Sequence, residues 1–353
     1  MLWPEVNQFA SICKYAIRWV MHFGIDIHTH VVPENFPAYA GRSASVPWPS
    51  MCHDGCGHAR MMVSGKLFRS VSEAAWSTQR RISDMKEMGL ARQVISPMPE
   101  LLSYWFDAED AHVLLRHVNA AIAAMVALDA GHFIGMGAVP LQDIDMAIRE
   151  LRYNKEVLGL RAVEVGSNIN GVSIGSPQFE PFFEAAVDLD VAVFVHALRA
   201  AGRDRLVGPP VLEPIIAFPG EIAMAAAAFI TSGIMARHPK LRIAFSHGGG
   251  VLVTMLSRME HFWKALPKFG DLLPESPRAT AKRAFYDLTV FDPALVRQLV
   301  DAFGLEQLLI GTDYPFRGHE NAPLQLMRDA GLTETDISTI AETNARRYIG
   351  LNP

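Results

Sequence analysis

Residues 25–30, Ile25-Asp26-Ile27-His28-Thr29-His30, set isoleucine and threonine against aspartate and histidine in strict alternation. A period of two predicts a β-strand, and it puts both imidazoles on the same side of the extended chain. Two ligands for one ion follow from that spacing. The plainer alternative is two histidines that merely sit close together, and the rest of the chain has to decide between them.

Working outward, short runs rich in Val, Ile and Phe recur near 24–29, 92–96, 133–138, 160–165, 191–196, 242–247, 284–290 and 307–313. Segments with helical periodicity fill 72–90, 107–130, 143–156, 178–189, 219–238, 249–265, 293–304 and 334–348 between and after them. Eight strand–helix pairs predict an α/β fold, a closed parallel (β/α)8 TIM barrel. An open doubly wound sheet would have fewer strands and a nucleotide-binding glycine loop, and neither GxGxxG nor GxxxxGK[ST] is present. Residues 31–71 break the alternation, and Ser64-Gly65 offers a turn for a small hairpin there. They read as an insertion over the barrel mouth. Segments 197–218 and 266–283 read as irregular loops.

The domain boundaries expected from this pattern are an N-terminal helical extension over 1–23 and one barrel domain over 24–353. Lys14 and Arg18 interrupt the apolar character of the extension, so it is not expected to cross a membrane. With 353 residues, 50% hydrophobic and 20% charged, the chain can bury one large core. Its formal net charge of −5, and the lack of a basic run with interleaved aromatics, point away from nucleic acid and towards a small-molecule role. Three cysteines, Cys13, Cys52 and Cys56, do not make a disulfide framework and fit the cytoplasm.

Further polar residues end the later strands. VAVFVHA, RIAFSHGGG and LLIGTDYPF place His196, His247 and Asp313 at the carboxyl ends of strands five, six and eight. In a closed barrel those ends converge on the face that carries active sites. Three histidines and a carboxylate suit Zn2+ or a similar divalent ion with a position left open for water.

Taken with IDIHTHVVPENFP, GKLFR, SYWFDAEDA, FVHA, HPKLRIAFSHGGG and GTDYPF, these residues resemble the amidohydrolase superfamily. Within it they are most similar to the decarboxylase branch typified by 2-amino-3-carboxymuconate-6-semialdehyde decarboxylases. The resemblance runs from residue 25 to the closing NARRYIGL. It implies metal binding by His28, His30, His196 and Asp313, with Zn2+ expected and Mn2+ as the alternative. Asp313 would also handle protons, and His247 would act as general acid/base beside the metal-bound water. Arg69 in GKLFR would bind a substrate carboxylate, and Arg258 in LSRMEHF would be supplied across a homodimer interface. Trp105 and Phe316 would line the substrate site.

Two departures bear on substrate and reaction. Where the family carries a tryptophan after the strand-five histidine, this chain reads VLEPIIAFPGE. Glu164 in RAVEVG stands where the close relatives are expected to have glutamine; a strand-four carboxyl group can bridge a second metal in hydrolytic members, while pairing with Arg161 or another barrel residue is the plainer role. The leading expectation is a nonhydrolytic carboxy-lyase acting on a small unsaturated or aromatic acid. A hydrolase or hydratase of a lactone, amide or ring-cleavage product is the alternative, and a catalytically dead scaffold is disfavoured by the full ligand set. The segment CHDGCGH over 52–58 is spaced too tightly for a usual structural zinc site.

Overall fold

The computed structural model describes residues 22–41, 46–273 and 275–351. Eight parallel strands form one sheet in chain order: Ile25–Val31, Arg92–Pro97, Phe133–Ala138, Ala162–Gly166, Ala192–His196, Ile243–Phe245, Phe285–Asp287 and Leu308–Leu309. Parallel bridges from Asp26 to Ile310 and from Thr29 to Tyr314 join the last strand to the first. Backbone bonds Ile27 N to Ile310 O, 2.9 Å, and His30 N to Tyr314 O, 2.7 Å, close the barrel. All eight expected strands are present. The two expected to be longest, at the end of the chain, are shorter, Phe285–Asp287 and Leu308–Leu309. At Gly311 a Cβ would lie 2.7 Å from Thr289 Oγ1 and 2.8 Å from Asp287 Cβ, so only glycine fits there.

Each strand is sealed from outside by helix. Thr78–Met88, Ala108–Leu128, Ile144–Glu156, Glu180–Asp188, Phe218–Ser232, Leu252–Ala265 and Pro293–Phe303 match the expected helices. Ser77, Asp143 and Asp292 cap three of them by accepting from backbone N–H groups of the first turn. The last expected helix is built of Glu334–Ser338 and Ala345–Ile349, joined through a π-helical turn over Thr339–Asn344. Its Tyr348 donates to Val193 O and packs with Phe194, Phe285 and Met136 inside one end of the barrel.

Three short helices were not expected: Pro267–Leu272, Pro277–Ala281 and Pro323–Asp329. Each begins on a proline, which reads as a loop in sequence but fits the first position of a helix. The segment 197–218, expected to be irregular, ends in a π-helical turn at Glu213–Ala217. Ala108–Leu128 and the continuous run Glu213–Ser232 are long and apolar enough to cross a membrane by length and composition. Here each turns a buried face, Leu114, Val118 and Ile122 in one and Ile222, Ala226 and Phe229 in the other, towards the barrel.

The insertion is a three-stranded antiparallel sheet, Pro49–His53, His58–Val63 and Lys66–Ser72, rather than a single hairpin. Its second turn is at Ser64-Gly65, as the sequence indicated, with φ of +51° and +72°. The expected N-terminal helix lies, through residue 21, outside the described residues.

Candidate functional site

Strand one carries His28 and His30 fully buried at the carboxyl end of the barrel, and strand five ends on His196. After strand eight the chain turns left-handed at Asp313, φ +66°, and after strand six it does so at His247, φ +54°. Positive φ at a non-glycine residue is uncommon and concentrates at functional sites. Gly250 makes the strand-six turn feasible, since a Cβ on it would lie 1.9 Å from Pro219 O.

One ligand atom each from His28, His30, His196 and Asp313 lies within 4.8 Å of all the others. Hydrogen bonds on the far side of each ring decide what faces the centre. His28 Nδ1 donates to Asp287 Oδ2 at 2.6 Å, His30 Nδ1 donates to Pro97 O at 2.9 Å, and His196 Nδ1 donates to Ala197 O at 2.8 Å. Each Nε2 is therefore left with a lone pair. Yet His28 Nε2 and His30 Nε2 stand 3.0 Å apart, with Asp313 Oδ1 3.5 and 3.2 Å from them. His196 Nε2 is buried and has no hydrogen-bond partner. Three ring nitrogens and a carboxylate oxygen converging on one point fit a bound cation, and the nitrogen-rich set suits a borderline metal.

The electrostatics agree. Burial works against a charged His28, but Asp287 and then Asp313 overcome it and lift this imidazole to about 9. Asp313 is held below the usual carboxylate range: burial opposes ionisation, while His30 and His28 more than offset it. The cluster as a whole thus favours a positive charge at its centre.

His247 sits beside this cluster, its ring 5.3 Å from His28 and 5.2 Å from His196. Burial and then the neighbouring His28 lower its pKa, and its Nε2 has no partner. Phe316 stacks on His30 at 5.3 Å, and the Arg69 guanidinium lies 4.5 Å above the Phe316 ring. Arg69 reaches Glu100 at 2.9 Å. Trp105 lies further out at the mouth, in a cavity that Glu100 also lines. Of the nine residues expected at the site, the structure thus brings together eight and leaves Arg258 apart. It is exposed on Leu252–Ala265, its guanidinium 5.0 Å from the Phe262 ring.

Several participants escaped sequence reasoning. Asp287 ends strand seven in FYD, a carboxylate at a strand's carboxyl end, and that position was the available signal. Glu100, Arg199 and Arg81 gave no such signal. Arg81 is fully buried, donating to His30 O, Ala74 O, Thr29 Oγ1 and Gln93 Oε1, and so fixes the strand that carries the histidines. Glu164 is buried 3.7 Å from His30 Nδ1, on the nitrogen turned away from the cluster, and does not join it. Cys52 and Cys56 are exposed, free thiols outside any metal-binding group among the described residues.

The amidohydrolase family model matches residues 25–351. A 2-amino-3-carboxymuconate-6-semialdehyde decarboxylase of Dictyostelium discoideum is 33% identical over 332 residues, 93% of this chain and 92% of that one. The solved 5-carboxyvanillate decarboxylase of Sphingomonas paucimobilis is 26% identical, with a TM-score of 0.70 over 78% of this chain and 84% of the other. A solved dihydroxybenzoic acid decarboxylase of Polaromonas sp. JS666, with bound manganese and 2-nitroresorcinol, has a TM-score of 0.70 at 24% identity. That match covers 80% of this chain and 88% of its own.

Proposed function

The chain belongs to the amidohydrolase family, and within it we propose a metal-dependent carboxy-lyase that releases CO2 from a small unsaturated or aromatic acid. The observation that carries this reading is the convergence of four potential ligand atoms beside His247, whose Nε2 is buried and unpartnered. The decarboxylase names of its relatives supply the reaction type.

His28, His30, His196 and Asp313 would hold the ion. Three imidazoles favour Zn2+, and Mn2+, named in the Polaromonas relative, accepts much the same donors. When bound, it supplies Lewis-acid stabilisation of developing negative charge and lowers the pKa of water. Asp287, Pro97 and Ala197 hold the three rings in the tautomer that binds. His247, kept uncharged by burial, takes and returns a proton at Nε2. Arg69 receives the substrate carboxylate with its planar fork, releasing Glu100 in exchange, and Phe316 holds it over the cluster.

Arg258 belongs to this site only if a second copy supplies it. The surface around it supports a homodimer: Ile215, Ile216, Met224, Val251 and Met255 are exposed on the contacting segments 213–232 and 251–265. Free exposed thiols fit a cytoplasmic location.

Elemental analysis of purified protein, with CO2 release from carboxymuconate semialdehydes and hydroxybenzoates, tests the reading. About one divalent ion per chain and CO2 evolution are expected. Lactone or amide hydrolysis without CO2 would overturn it in favour of a hydrolase.

A further inference from the structure

Arg199 follows His196 by three residues on the loop leaving strand five, and its φ is +44°. Left-handed backbone is uncommon for a non-glycine residue. This conformation accompanies a side chain reaching the mouth, with the guanidinium 3.5 Å from the Trp105 ring. The stack holds the cation in place but neutralises nothing. Nearby arginines are paired: Arg203 lies 3.5 Å from Glu213, and Arg69 lies 2.9 Å from Glu100. Arg199 has no carboxylate partner among the described residues.

Beside it lies a cavity of about 140 Å³, lined by Phe68, Glu100, Trp105, Phe106 and Arg199 with neighbouring apolar residues. One wall is the carboxylate that engages Arg69, and Arg69 covers the ring stacked on His30. The cavity is thus linked to His30 by the successive contacts Glu100–Arg69–Phe316–His30. A planar acid held over His30 by Arg69 would extend towards this aromatic chamber.

We propose that Arg199, positioned by Trp105, determines specificity by receiving a second carboxylate of the substrate, remote from the one lost. This rests on the carboxy-lyase reading for the identity of the ligand as an acid. Arg199 within the chamber, and Arg69 bonded to the Glu100 that lines it, together select a planar diacid over the matching monoacid.

The test uses calorimetric titration of the metal-loaded protein with two matched pairs: trans,trans-muconate against sorbate, and isophthalate against benzoate. Wild type should bind at least one diacid about tenfold more tightly than its monoacid, the worth of one good guanidinium–carboxylate contact. Arg199→Gln should bring that preference below about threefold without weakening the monoacid, and Arg199→Lys should keep part of it. Trp105→Leu, which removes the stack and leaves the cation, should also reduce it. The lysine and leucine variants separate the role of charge from that of position. No diacid preference in wild type, or a preference undiminished in Arg199→Gln, would overturn the proposal. If the preference behaves as stated but no acid releases CO2, the assignment of Arg199 stands and the carboxy-lyase reading falls.

Discussion

Replacing Asp287 by asparagine tests the claim that tautomer control makes the metal site. Asp287 is fully buried; its Oδ2 accepts from His28 Nδ1 at 2.6 Å, and its Oδ1 accepts from Gly248 N at 3.0 Å and Thr289 N at 3.1 Å. Asparagine keeps the volume but has one oxygen and one NH2 group. If the oxygen serves the two amides, the NH2 faces His28 Nδ1 and drives its proton to Nε2, removing the lone pair from the cluster. If the amide turns round, two backbone N–H groups face donors. Either arrangement loses a buried, charge-assisted bond worth about 1.5–3 kcal/mol. Converted to affinity, that is roughly 10- to 150-fold, in line with the roughly 10- to 100-fold seen on removing partners of metal-binding histidines. Competition with a chelator of known affinity measures the dissociation constant, and circular dichroism checks the fold. A folded Asp287→Asn protein that binds metal within about twofold of wild type would refute the reasoning.

Other perturbations separate the remaining roles. His247→Asn should lower kcat about a hundred- to ten-thousandfold while metal content by elemental analysis stays at the wild-type level. Arg258→Ala should abolish turnover with metal retained, and mixing it with Arg69→Ala should restore part of the activity as subunits exchange; no recovery in exchanged heterodimers argues against a shared site. Gly250→Ala puts a Cβ 1.9 Å from Pro219 O at φ +61°, so urea denaturation should show a loss of about 3 kcal/mol or more. Unchanged stability there would mean that the strand-six turn yields more easily than its packing indicates.

The barrel was legible because its strands are buried on both faces and read as apolar runs, while the helices between them keep a polar side. The metal-binding residues were legible for a related reason: a histidine ending such a run has no apolar role at that position. Asp287 shows the limit of this reasoning. It occupies the same kind of position, yet its meaning depends on which residue of strand one faces it across the barrel. Proline-initiated helices were missed because proline ends and begins helices alike, and only the paths of the flanking chain decide which. Arg199 lies on a loop and Glu100 on the single 3-10 turn Pro99–Leu102, where neither period nor register links a residue to its partner. Arg258 has the converse status: its motif is clear in the sequence, but one chain gives it nothing to act on.

Glu164 shows how geometry discriminates between reactions that the sequence leaves open. A carboxylate bridging two ions must share the space that the first ion occupies. His30 instead stands between, its Nε2 turned to the cluster and its Nδ1 turned to Pro97 O at 2.9 Å and Glu164 Oε2 at 3.7 Å. Bringing Glu164 into the cluster would require His30 to turn over, breaking the bond to Pro97 and placing a protonated nitrogen against the other donors. Burial lifts the Glu164 carboxyl to about 7, against the opposing influence of His30 and Ser96. Burial thus disfavours the charged form that a bridging carboxylate would need. The position of Glu164, outside the cluster of His28, His30, His196 and Asp313, thus supports the proposed stoichiometry of one ion per chain over a bridged pair.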